Sequence, residues 1–194
     1  MGATVVRISI PDLDTLTENL SLMALEFQPT FNRYLASLGA RAPVKTFAEF
    51  MARGEFHASL RNLLEGYQRI PDGLDRPEYQ QQLRRRADLR QALMSAIAAN
   101  RLDVILYPHQ RRLVVPIGED QAERNGVLSN STGFPALSFP GGFSPATTDA
   151  PLGVPVGLEL LGPEWSESTL LKLAYAFEQG ARVRKPPKST PPLR

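Results

Sequence analysis

Between residues 101 and 162 the main apolar runs of this chain are short and are stopped by proline or glycine. Leu102-Asp103-Val104-Ile105-Leu106-Tyr107 ends at Pro108, Pro135 to Phe139 closes on Pro140-Gly141-Gly142, and Val154, Val156, Leu158 and Leu160 alternate with Pro155, Gly157 and Glu159. Runs this short, ended this way, read as buried strands rather than helices. Each proline deletes a backbone donor, so within a sheet Pro135 and Pro155 belong at strand starts or edges. Residues 108–134 between the first two strands form a long connection rich in Pro, Gly and Asn. After the third strand, Trp165-Ser166-Glu167 starts a helix. Ser166 is its expected cap, Glu167 suits the positive end of the dipole, and Trp165 is expected to anchor the helix start by packing. Leu170, Leu173, Ala174 and Phe177 form its buried stripe, and Gly180 follows its end. The tail 181–194 is basic and Pro-rich, and is expected to fray.

The first hundred residues have a different character. Thr4-Val5-Val6-Arg7-Ile8-Ser9-Ile10 predicts a strand, with Val6, Ile8 and Ile10 on one face. Asp12 to Leu38 predicts a helix, because Leu16, Leu20, Met23, Phe27, Phe31 and Leu35 recur at helical spacing. Pro29 predicts a kink within it, or two helices meeting there. Thr46 to Arg53 is a short helix, and 54–75 is poorly periodic apart from a Pro71-Asp72-Gly73 turn. Asp75 to Asn100 is a long helix with Asp75 and Glu78 at capping-box spacing and Pro77 in its first turn. Its expected stripe is Leu83, Ala87, Met94 and Ile97, and Arg84, Arg85, Arg86 and Arg90 look like an anion site but read first as a solvated outer face. Helices between and after strands argue for an α/β fold, a mixed β-sheet with helices packed on it. The expected organisation is a single α/β unit over 1–180, helical over 12–100 and sheet-forming over 101–180, followed by the tail.

Composition removes several functions. The chain has no cysteine and two histidines, His57 and His109, far apart in sequence. Disulfides, iron–sulfur clusters, cysteine nucleophiles and cysteine or histidine-rich metal sites are therefore not expected, and neither is a cofactor. Glu119, Asp120 and Glu123 gather in the long loop, but Arg111, Arg112 and Arg124 lie nearby and the group reads as surface charge rather than a cation site. The net charge of +2 comes without a basic stripe interleaved with aromatics, so no nucleic-acid partner is expected. No apolar run reaches the roughly 20 residues of a membrane span, and no signal peptide begins the chain. A cytoplasmic protein is the expectation.

Four ordered segments carry a resemblance. They are Asp103 to Pro108; Asn125-Gly126 followed by Thr132 to Phe143; Gly153-Val154-Pro155-Val156-Gly157-Leu158-Glu159-Leu160-Leu161-Gly162; and Trp165-Ser166-Glu167 leading into Leu170 to Gln179. Together they resemble the C-terminal region of the amidase-signature family. Gly2 to Val6 and the stretch from Glu26 to Ala52 fit the same region more loosely. The resemblance implies amide hydrolysis through a Ser–cis-Ser–Lys triad, in which a lysine acts through one serine to deprotonate a second, nucleophilic serine. The triad's Gly/Ser-rich segment has no counterpart here; the nearest run, Phe139 to Ser144, matches the family's C-terminal pattern instead. None of Lys45, Lys172, Lys185 or Lys188 matches the catalytic lysine, so no catalytic residue is carried over. The resemblance implies that this half supplies sheet and one wall of the substrate pocket, with Tyr107, His109 and Asn125 as the substrate-binding candidates around the Tyr-Pro turn. Each also has a structural role open to it: Tyr107 packing at a strand end, His109 holding the loop, Asn125 turning the chain through a left-handed conformation. The implied partners are a small amide substrate and either a second copy of the chain or a separate N-terminal amidase half. A non-catalytic assembly module is the alternative reading.

Overall fold

The computed structural model describes residues 2–186, so the last eight residues of the basic tail lie outside the described residues. Two compact units are present: Glu18–Ala87, and the chain from Asp88 onward together with the segment up to Thr17. The boundary falls inside the long helix α5 (Pro77–Asn100).

The Glu18–Ala87 unit is built on aromatic packing. Helices α2 (Met23–Leu38), α3 (Phe47–Arg53) and α4 (Arg61–Gln68) enclose Phe47, Leu64 and Tyr67, with Phe27, Phe31, Phe50 and Phe56 packed around them. Phe27 lies edge-on to Phe47 at 5.4 Å and tilted against Tyr67 at 4.7 Å between ring centres, within the range in which aromatic pairs attract beyond simple burial. Thr46 caps α3 by accepting from the Glu49 amide, and Asn32 Oδ1 accepts from the Phe47 amide. Two helices do not meet at Pro29: α2 runs through it as one element. Pro29 has no N–H to offer Leu25 O, one turn back, and Gly73 approaches that carbonyl so closely that a Cβ there would lie 2.0 Å from it. The helix breaks earlier, between α1 (Leu13–Leu16) and α2, where the Thr17 hydroxyl bonds Leu13 O and Asn19 takes a left-handed φ of 52°. Helix α4 lies in the stretch that lacks a clear period in the sequence. Its eight residues carry only Leu64 and Tyr67 on the buried side.

In the other unit, the strands are β1 (Ile105–Pro108), β2 (Ala136–Phe143) and β3 (Pro155–Leu161). They form an antiparallel sheet of order β1-β3-β2. Pro155 opens β3, as expected of a proline in a central strand, and β2 runs past Pro140 through a register shift between Pro140 and Gly142, a bulge that absorbs the missing donor. Strand β1 is less buried than its sequence predicts. It stands at the sheet edge, with Ile105 buried and Leu106 exposed. Alternation along β3 sends Leu158 and Leu160 to one face, where Phe139, Leu137, Leu170 and Ala174 complete a core beneath α7 (Glu167–Ala181). Leu173 and Phe177 pack against it, so the stripe predicted for α7 forms. Helix α7 continues past Gly180 and ends at Arg182, which takes the left-handed conformation. Ser166 precedes α7 without capping it, because its hydroxyl donates back to Pro163 O.

Four further expectations need correction. Residues 4–10 form no strand: no described strand pairs with them, and Val5 is 84% exposed. Trp165 does not anchor α7, being 88% exposed with a left-handed φ of 65°. On α5 the buried stripe is Leu89, Leu93 and Ile97; Leu83 and Met94 face outward. Arg86 and Arg90 are also not simply solvated. Arg86 Nε donates to Leu20 O, and Arg90 donates to Thr132 O, pairs with Glu164 and lies over the Phe134 ring.

Candidate functional site

The sheet face opposite α7 carries the site. In the antiparallel register Tyr107 stands opposite Glu159 on one side, and Ser138 stands opposite Glu159 on the other. Residues directly opposite across paired strands share a face, so the three side chains form a row across the sheet. His109, two residues beyond Tyr107, continues the same face, and its amide donates to Gly157 O at 3.0 Å. The row centres on Glu159, which is 3% exposed. Tyr107 Oη donates to Glu159 Oε1 at 2.6 Å, Ser138 Oγ donates to Oε2 at 3.3 Å, and His109 Nε2 lies 3.2 Å from Oε2. Burying a carboxylate requires such partners, and three converge here.

Two flanking features complete the geometry. Gly126 leaves room for the imidazole: a Cβ there would meet His109 Nε2 at 2.6 Å. Helix α6 (Val127–Thr132) follows it and brings the Ser129 hydroxyl to Tyr107. Burial first, and then the bond to Glu159, hold the Tyr107 phenol well above its ordinary pKa, so it is a hydrogen-bond donor throughout the neutral range.

The structure thus brings Tyr107 and His109 together through Glu159, a residue outside the predicted candidates. Asn125 is nearby but differently occupied. Its Nδ2 donates to Pro108 O at 2.8 Å, its Oδ1 accepts from Arg111 Nε at 2.8 Å, and its amide donates to His109 O. It does not take the left-handed conformation of the predicted turn, which falls to Glu123. Of the loop acids, Glu123 pairs with Arg112 at 3.8 Å, and no three His, Asp or Glu side chains gather as a metal cluster among the described residues. No helix among the described residues is long and apolar enough to cross a membrane.

Residues 1–171 match the family model described as Amidase. This chain belongs to the amidase family. Amidase-family relatives include a probable amidase of Arabidopsis thaliana, 28% identical over 96% of this chain and 35% of its own length. A glutamyl-tRNA(Gln) amidotransferase subunit from Moorella thermoacetica is 29% identical over 95% of this chain and 39% of its own. The solved native peptide amidase of Stenotrophomonas maltophilia superposes with a TM-score of 0.75 at 30% identity, covering 96% of this chain and 38% of that one. The chain therefore spans little more than a third of the length of these amidases.

Proposed function

We propose that this chain contributes one wall of an amide-hydrolysing site: the sheet and the row Tyr107, Glu159, Ser138 and His109, with the nucleophile supplied by residues other than these. The observation that carries this reading is the buried Glu159 carboxylate with its donors on a sheet face of an amidase-family chain. A lone buried acid held by two hydroxyl donors with an imidazole beside it performs no acyl transfer by itself, because nucleophilic catalysis needs a hydroxyl activated by an adjacent base. The hydroxyls near the row are committed otherwise. Ser129 donates to Gly126 O and Ser138 to Glu159. Among the described lysines, Lys45 donates to Gly39 O and Lys185 lies over the Phe143 ring. The relatives' greater length supports the same reading, since room for a nucleophile-bearing segment lies in the part of them that this chain does not span. Carbon–nitrogen amide hydrolysis is then the activity of the completed site, and Tyr107, His109 and Asn125 bind or shape the substrate from this side.

The test is hydrolysis of simple aliphatic and aryl amides by the purified chain. We expect no turnover above that of a variant with Ser129, Ser131 and Ser138 all replaced by alanine. Turnover that disappears in that variant contradicts the proposal.

A second reading, an assembly module, is favoured by exposed apolar side chains at Leu171 and Tyr175 one turn apart on α7, and at Val114 and Ile117 in the long loop. Such surface belongs under a partner, either a second copy or a separate N-terminal amidase chain. Sedimentation over a range of concentrations tests it: self-association favours the second copy, and a strict monomer that also ignores an N-terminal amidase half contradicts it.

A further inference from the structure

We propose that Arg90 is a positioning residue for this wall: by holding the C-terminal end of α6 through the Thr132 carbonyl, it keeps the Ser129 hydroxyl beside the Tyr107 phenol. The inference rests on the reading of this face as a pocket wall and names a residue, outside the row itself, on which the row's geometry depends.

Helix α6 is too short to hold itself. Its six residues, Val127–Thr132, fall well below the roughly 12 that an isolated helix needs in water, so its place depends on what grips it. Burial of Leu128 grips the middle. At the N-terminal end, the Asn125 amide donates to His109 O and the Asn125 side chain donates to Pro108 O. At the other end, the last carbonyls of a helix find no partner within it. Thr132 is the last residue of α6 and is 7% exposed, so its carbonyl needs a donor brought from elsewhere in the fold. Arg90 Nη1 supplies that donor at 2.7 Å, as basic side chains do at helix ends.

The guanidinium is itself fixed from two further sides. It lies over the Phe134 ring, 4.4 Å from the ring centre, and its Nη2 donates to Glu164. One planar group thus joins α5, the end of α6 and the segment before α7. The ion pair is the lesser part of this junction, because Arg90 is 35% and Glu164 57% exposed and ion pairs open to water contribute little. The bond to the enclosed Thr132 carbonyl is the part that holds α6. Lysine, a point charge on a flexible stem, does not lie flat on a ring while meeting two acceptors. Arg90, one of the arginines of α5 that resemble an anion site, is therefore spent on an internal carbonyl. Through α6 it reaches Ser129, which stands against Tyr107.

NMR of tyrosine and histidine rings in the full chain reads the consequence residue by residue. Tyr107→Phe assigns the Tyr107 signals, and an H57Q control assigns those of His109. In Arg90→Ala the Tyr107 signals should shift and relax faster with a soluble paramagnetic probe, because Ser129 no longer covers the phenol. His109 faces Gly126 at the other end of α6, which Asn125 still ties down, and should stay in place. So should Tyr67, within the aromatic core of the Glu18–Ala87 unit. A general loosening of the fold would move all three alike. Glu164→Gln removes the ion pair and spares the bond to Thr132 O, so it should leave Tyr107 where it is. An unmoved Tyr107 in Arg90→Ala overturns the proposal. So does a shift of His109 or Tyr67 equal to that of Tyr107, or a Glu164→Gln chain that moves Tyr107 as far as Arg90→Ala does. If Arg90→Ala does not fold, Arg90→Lys decides: a smaller shift confined to Tyr107 is expected, and an unmoved Tyr107 overturns the proposal. Hydrolysis by the chain alone would refute the missing nucleophile and leave this positioning standing, so the two readings fail separately.

Discussion

Tyr107 and Glu159 face each other across the β1–β3 pair, and their side chains close to 2.6 Å over a carboxylate that is 3% exposed. The bond is short and its acceptor is withdrawn from water, so Tyr107→Phe, which leaves that acceptor short of a donor, should destabilise the fold by about 1–3 kcal/mol. Urea unfolding measures it. A change below a few tenths of a kcal/mol would mean that Ser138 and His109 satisfy Glu159 unaided.

The same bond has a pH consequence. The Tyr107 phenol is held above its ordinary pKa by burial and by Glu159, so the folded state keeps its proton where the unfolded chain gives it up. The unfolded state then binds fewer protons, and stability falls as pH rises above about 10, the ordinary tyrosine value. Absorbance titration of the folded chain should show a late-titrating phenol that Tyr107→Phe removes.

Gly126→Ala should act on the site without straining the backbone. Gly126 has an ordinary helical φ of −59°, but a Cβ there would lie 2.6 Å from His109 Nε2. The ring must swing away from Glu159. NMR of His109 should show a shifted, broadened imidazole while His57 stays unchanged; an undisturbed His109 would contradict the geometry.

In the Glu18–Ala87 unit, Phe47 is fully buried against the rings of Phe27, Phe31 and Phe50. Phe47→Ala should cost about 3–5 kcal/mol. Hydrogen exchange should locate the loss in α2, α3 and α4.

What the sequence discloses follows from how local each signal is. The α7 stripe, the short helix ending at Arg53 and the positions of Pro135 and Pro155 depend on spacing or on a missing donor, and all appear as read. Strand 4–10 and the Trp165 anchor depend on partners that spacing cannot supply, and the described residues supply none. Pro29 leaves α2 unbroken, and the Leu25 carbonyl that loses its helical partner lies close against Gly73. At the site, Tyr107 and His109 are legible from the Tyr-Pro turn, but their common partner is not. A signal exists: Glu159 is a charge between Leu158 and Leu160 in the most apolar strand, and alternation places it on the face away from the core. Its pairing with Tyr107 and Ser138 is a matter of register, which joins residues 52 and 21 positions apart and leaves no trace in local pattern.

The central claim, a pocket wall without its own activated serine, is tested most directly by intact-mass analysis after incubation with an alkyl fluorophosphonate, which captures serines whose hydroxyl is activated by a base. The account predicts an unmodified chain. A single adduct mapping to Ser129, Ser131 or Ser138, absent from the denatured protein, would contradict it.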